Sequence, residues 1–210
     1  FVLIGRRPNP EFHFRDLLDQ RIAIAEEVPT PWMTFRDDLT RAGIDPSQLD
    51  IADSAAMTTF PDLIATGKVD VAQVLEPVAA TAITEGRAHI WHRFANRGDI
   101  GYTSFYTTRT YLQDHLDNCQ TLLSGIERAL EALAKESCVE IASELSDLFP
   151  DVPTPILATA IGGYQSSNLW PRQSDLPVAA FVRLKSALLA GGLISRDIPY
   201  ENVIARLEVS

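Results

Sequence analysis

Lys68-Val69-Asp70-Val71-Ala72-Gln73-Val74-Leu75-Glu76-Pro77, continuing through Val78-Ala79-Ala80-Thr81-Ala82-Ile83-Thr84-Glu85-Gly86 to Ala88-His89-Ile90-Trp91-His92-Arg93-Phe94, decides the fold. Val69–Val74 is a short, valine-rich apolar run and reads as a buried strand. Pro77 opens a helix, where its missing N–H costs nothing, and Gly86 closes it. Ala88–Phe94 then reads as the next strand. The same grammar recurs upstream. Arg21–Ala25 is a strand, Thr30-Pro31 supplies an N-cap and a first helical residue, and the helix stops at Gly43 with Asp45-Pro46 beyond it. Leu49–Asp53 is a strand, followed by a helix over Phe60–Thr66 that Gly67 ends. Strands separated by helices of this length imply right-handed crossovers and an α/β fold with a parallel sheet.

Beyond Gly101-Tyr102-Thr103-Ser104-Phe105-Tyr106-Thr107-Thr108, which is rich in β-formers, the pattern turns helical. Leu122, Leu123, Ile126, Leu130 and Leu133 make one apolar stripe. Further helices are expected around Ile141–Leu148, Pro155–Gln165, Pro177–Ala190 and Tyr200–Leu207. No strand-rich partner for them is visible in the sequence.

The 210 residues are 46% hydrophobic and 22% charged, an ordinary globular balance. The net charge of −10 argues against nucleic acid or an anionic membrane surface as partner. No apolar run reaches the roughly 18 residues of a membrane span. Two cysteines are too few for a disulfide framework or a four-cysteine zinc site. Cys119 and Cys138 flank what reads as one helix, which would hold them about 28 Å apart; a bridge is not expected, and both read as buried apolar residues. His89 and His92, three apart in a strand, should fall on opposite faces and make no metal site. No cofactor is implied. Glu26-Glu27 and Asp37-Asp38 read as solvated charges, and neither a Gly-x-Ser-x-Gly elbow nor a Gly-rich phosphate loop is present.

The order of several short stretches carries a resemblance. Asp16-Leu17-Leu18-Asp19-Gln20-Arg21-Ile22-Ala23-Ile24, Leu39-Thr40-Arg41-Ala42-Gly43-Ile44-Asp45-Pro46, Ala65-Thr66-Gly67-Lys68-Val69-Asp70-Val71-Ala72 and Glu76-Pro77 resemble the periplasmic substrate-binding proteins of ABC importers. The group meant is the nitrate, sulfonate, taurine and thiamine-pyrimidine-precursor type, with the type II binding-protein fold. The resemblance implies two lobes, with ligand between them. Residues 1–107 would then be the second lobe, with Phe1–Gly5 and Tyr102–Thr107 as the strands that cross between lobes. Residues 108–210 would be helices that pack on the first lobe. The opening Phe1-Val2-Leu3-Ile4 reads as a strand entered midway, so most of the first lobe is expected to lie outside this chain.

In such a sheet, ligands bind at the carboxyl ends of the strands. The candidate ligand-binding residues are Thr30, Trp32, Ser54, Glu76 and Tyr102. Thr30 can offer a hydroxyl and free N–H groups, or simply cap its helix. Trp32 can stack on a flat ligand or pack on the sheet, and Ser54 can be a turn residue. Glu76 can accept hydrogen bonds from a ligand or complement the dipole of the helix after it. No catalytic set is found. The resemblance implies a solute-binding component of an ABC importer, periplasmic or lipid-anchored outside the cytoplasm. Its partners would be a small-molecule ligand and a membrane permease. The alternative is an enzyme on the same scaffold, in thiamine or menaquinone precursor metabolism; a ligand-sensing domain of a regulator lacks a visible helix pair for DNA. With Glu26, Glu27, Asp53 and Glu76 in the strand-end loops and no Lys or Arg in 25–34 or 53–62, a neutral or amino-bearing ligand is expected.

Overall fold

The computed structural model describes residues 1–207. Its sheet has five strands: β1 (Val2–Gly5), β2 (Arg21–Ala23), β3 (Asp50–Ile51), β4 (Val71–Val74) and β5 (His89–Arg93), in the order β3-β2-β4-β1-β5. β2 pairs in parallel with both β3 and β4. The α/β reading holds, but the sheet is not wholly parallel. β1 runs antiparallel to β4 and β5, between them, so β5 points the same way as β4. All four residues of β1 are buried, and an apolar run says nothing of strand direction.

Three helices cover this sheet: α1 (Pro29–Arg41), α2 (Phe60–Ala65) and α3 (Val78–Thr84). One face carries Val2, Ile4, Ala72 and Val74 against Phe60, Ile64, Ala79 and Ala82. The other carries Leu3, Ile22 and Val71 against Phe35 and Leu39 of α1. Gly43, Gly67 and Gly86, just past the three helix ends, all have positive φ, as the helix-closing role requires. Thr30 is not the N-cap of α1. Pro29 also suits a first helical position, so the helix starts earlier and Val28 is its cap.

β5 contains a bulge. Leu3 stands opposite His92 and Ile4 opposite Ile90, so Trp91 is the extra residue. His89 and His92 therefore oppose Gly5 and Leu3, two apart on β1, and share a face instead of dividing between two. The Trp91 ring occupies the space a side chain on Gly5 would need, 2.3 Å from a Cβ placed there, and its indole N–H donates to the Arg7 carbonyl.

The remaining helices are α4 (Arg109–Asp114), α5 (Leu116–Lys135), α6 (Cys138–Leu145), α7 (Thr154–Ser166) and α8 (Val178–Ala190). α6 and α7 share a small core of Ile141, Ala142, Leu157 and Ile161. α7 packs on α3, and α8 on α1. Tyr102–Thr107, expected as a strand, is exposed and irregular, because no neighbouring strand among the described residues takes up its backbone hydrogen bonds. The expected last helix shrinks to a turn at Tyr200–Asn202, held by the Tyr200 hydroxyl donating to the Leu176 carbonyl at 2.7 Å. Cys119 and Cys138 are free and half-buried, and the helix breaks between them at Glu136-Ser137.

Candidate functional site

The carboxyl ends of β2, β3, β4 and β5 lie along one edge of the sheet, and side chains lace their loops together. The Met57 N–H donates to Glu27 Oε1 at 3.0 Å, and the Leu75 N–H reaches Met57 Sδ at 3.3 Å. The first three strand ends are joined in this way. Gln73 is fully buried in β4 and donates from Nε2 to the Pro31 carbonyl at 3.1 Å, which ties β4 to the first turn of α1. Its Oε1 is buried without a hydrogen-bond partner.

Glu76 follows β4. Its Oε2 accepts from the Ala80 N–H at 2.7 Å, so one oxygen serves the start of α3, as the dipole reading anticipated. Oε1 lies 3.7 Å from the point where a Cβ on Gly163 would stand, and the Arg93 guanidinium lies 3.4 Å from that same point. Burial raises the Glu76 pKa, while the Ala80 N–H and the positive charge of Arg93 oppose the rise. Tyr164, next on α7, has its hydroxyl pushed up to about 12, by burial first and by the Glu76 charge second. Tyr164 packs edge-on to Trp170 at 5.3 Å. Tyr102 belongs to the same neighbourhood: its charge bears on Tyr164, and its ring meets Phe1 at 6.0 Å. Partial burial raises its own pKa.

Of the five candidates, the structure thus brings Glu76 and Tyr102 together, through Tyr164. Thr30 and Trp32 stand on the α1 side. Pro29 and Pro31 carry no N–H, so Thr30 supplies the one backbone amide of the first three helical residues. Trp32 is half-buried, edge-on to Phe35 at 5.6 Å, with the Arg36 guanidinium 6.0 Å over its ring. Packing accounts for part of that indole, and the rest is accessible. Ser54 is exposed, in the loop after β3. Sequence reasoning passed over Gln73, Arg93 and Tyr164. Gln73 carried a signal, the lone amide in a run of buried apolar residues. Arg93 ends a strand whose partners the sequence does not show, and Tyr164 reaches the edge only through the docking of α7 on α3. Among the described residues, no cluster of histidine, cysteine or carboxylate side chains could hold a metal ion.

No family model matches the sequence. YtlA of Bacillus subtilis (strain 168), named as a binding protein, is 22% identical over 204 residues, which are 96% of this chain and 61% of YtlA. The periplasmic aliphatic sulphonate binding protein SsuA of Escherichia coli superposes with a TM-score of 0.76 at 16% identity, over 98% of this chain and 65% of its own. The alkanesulfonate-binding protein SsuA of Xanthomonas axonopodis pv. citri, solved with MOPS, gives a TM-score of 0.63 at 15% identity, over 90% and 61% of the two chains. The chain therefore spans a little under two thirds of these relatives. Its fold matches that of the periplasmic binding proteins.

Proposed function

We propose that this chain is part of a solute-binding component of an ABC importer, which captures a small molecule at the carboxyl edge of the sheet and does no chemistry on it. The observation that carries the reading is the likeness to SsuA over nearly the whole chain, together with the presence at that edge of Glu76, which has an oxygen left over from its capping bond. Within the nitrate, sulfonate, taurine and pyrimidine class, we favour a neutral or amino-bearing ligand. Two prolines leave the first turn of α1 poor in the amide donors an anion needs, and Glu26, Glu27, Asp53 and Glu76 add negative charge nearby. Trp32 would stack on a flat ring while Glu76 accepts from an amino group, with Thr30, Ser54 and Tyr102 completing the contacts. A membrane permease is the natural partner, and the place of action is the periplasm or a lipid-anchored position outside the cytoplasm. No helix among the described residues is long and apolar enough to cross a membrane.

A thermal-shift screen on the full-length protein tests this. At a concentration of 4-amino-2-methylpyrimidine about 100 times its Kd, linkage supplies roughly 2.7 kcal/mol, a rise in Tm of about 4 °C for a protein about half as long again as this chain. Glu76→Gln and Trp32→Ala should each remove most of that rise. Stabilisation by alkanesulfonates or nitrate that both variants retain would sink the ligand assignment.

A further inference from the structure

Arg93 is a half-buried arginine at the end of β5, and among the described residues no hydrogen bond or ion pair engages its guanidinium. Five N–H donors at the rim of a sheet edge are thus uncommitted. The positive charge of Arg93 bears on Glu76, yet no ion pair or hydrogen bond joins the two groups. Both instead border the space above Gly163, within 3.7 Å of where its Cβ would be. Gly163 lies in the interior of α7, where a glycine is unfavourable and alanine is the best helix former. Its φ is not positive, so backbone geometry does not explain the choice. What the glycine provides is room between a guanidinium and a carboxylate oxygen.

We propose that Arg93 is a specificity-determining ligand contact, and that the gap over Gly163 admits a ligand group that accepts from Arg93 while a neighbouring group donates to Glu76. This rests on the solute-binding reading above and adds a second point of recognition to it. A partner already present would leave Arg93 nothing to offer. An arginine that makes no ion pair with Glu76 keeps its planar fork for a ligand acceptor, which a lysine could not present in the same way. A ligand that offers only a donor, or only an acceptor, then leaves one half-buried charge unanswered, and that mismatch is a source of discrimination.

The test is isothermal titration of the full-length protein with three probes: 4-amino-2-methylpyrimidine, 3-methylaniline as its analogue without ring nitrogens, and methanesulfonate. Wild type should bind the pyrimidine at least about tenfold more tightly than the aniline, and Arg93→Gln should erase that difference. Gly163→Ala should weaken the pyrimidine by a similar factor while leaving the unliganded Tm unchanged or higher, a combination that a structural role for Gly163 does not give. Gly162→Ala, whose methyl would meet Cys138 instead, should bind as wild type. If Arg93→Gln fails to fold, the Gly163→Ala result decides alone. Variants at 93 and 163 that bind the pyrimidine like wild type overturn the proposal and leave the solute-binding reading standing. Methanesulfonate binding that Arg93→Gln abolishes keeps Arg93 as the contact and overturns the neutral ligand. Failure of wild type to bind any probe overturns both.

Discussion

The imidazole of His92 packs among three phenylalanine rings, 5.3 Å from Phe12, 5.0 Å from Phe14 and 5.2 Å from Phe94. Burial, helped by the positive charge of Arg97, lowers its pKa from 6.5 to about 4. The folded protein then holds this ring neutral where the unfolded chain would protonate it. Between those two values the unfolded state binds more protons, so stability rises with pH across the window and falls as acid is added. The contribution lost by pH 4 is at most about 3 kcal/mol. Urea denaturation at about pH 4.5 and about pH 7 should show a smaller difference in His92→Phe than in wild type; identical differences would refute the assignment. Legibility at this scale depends on whether a residue's partners are close in sequence. Glu76 beside Pro77 announced its place at a helix start. His92 did not announce its face, because the bulge at Trp91 exists only when β5 is laid against β1.

Among the polar contacts that join elements is a deeply buried ion pair. Arg97, in the turn after β5, reaches Asp38 of α1 at 2.5 Å, with both side chains under a tenth exposed. Arg183 of α8 donates to the Arg97 carbonyl. Burial raises the Asp38 pKa despite the arginine beside it, a sign of how little water reaches the pair. Arg97→Ala leaves an uncompensated buried carboxylate and should cost about 3–5 kcal/mol by urea unfolding, while the double variant Asp38→Leu/Arg97→Met should cost less. A double variant that costs more than Arg97→Ala would show that the pair is net stabilising. Helix starts and stops were largely legible, since proline and glycine act locally: the ends at Gly43, Gly67 and Gly86 all fall where expected. Strand direction and the irregular course of Tyr102–Thr107 were not, because both depend on what lies alongside. Asp37-Asp38 shows the same limit within one dipeptide. Asp37 pairs with Arg41, but its side chain is only 17% exposed, and Asp38 is interior, so neither is the freely solvated charge expected.

In the molecule as a whole, α5 is a long helix with little packed against it. None of its twenty residues is buried, and Leu116 and Leu122 are 45% and 51% exposed. α8 adds a groove of about 490 Å³ lined by Phe181, Leu184, Leu188, Leu193, Ile198 and Val203. Apolar surface of this kind drives association. The 210-residue chain by itself should sediment heavier than a monomer at about 100 μM, and Leu122→Glu should shift it toward monomer. A wild-type chain that stays monodisperse and monomeric at that concentration would contradict this. The position of β1 has a further consequence, for synthesis. Its residues pair with partners 66 to 91 positions later, on β4 and β5. As the chain leaves the ribosome, β1 emerges ahead of both partners and stays unpaired until β4 follows it. The first strand cannot gain its second neighbour until Arg93 has emerged. The nascent protein therefore passes through an interval with an unpaired apolar strand, and how fast translation crosses that interval sets how long the strand is offered to other chains.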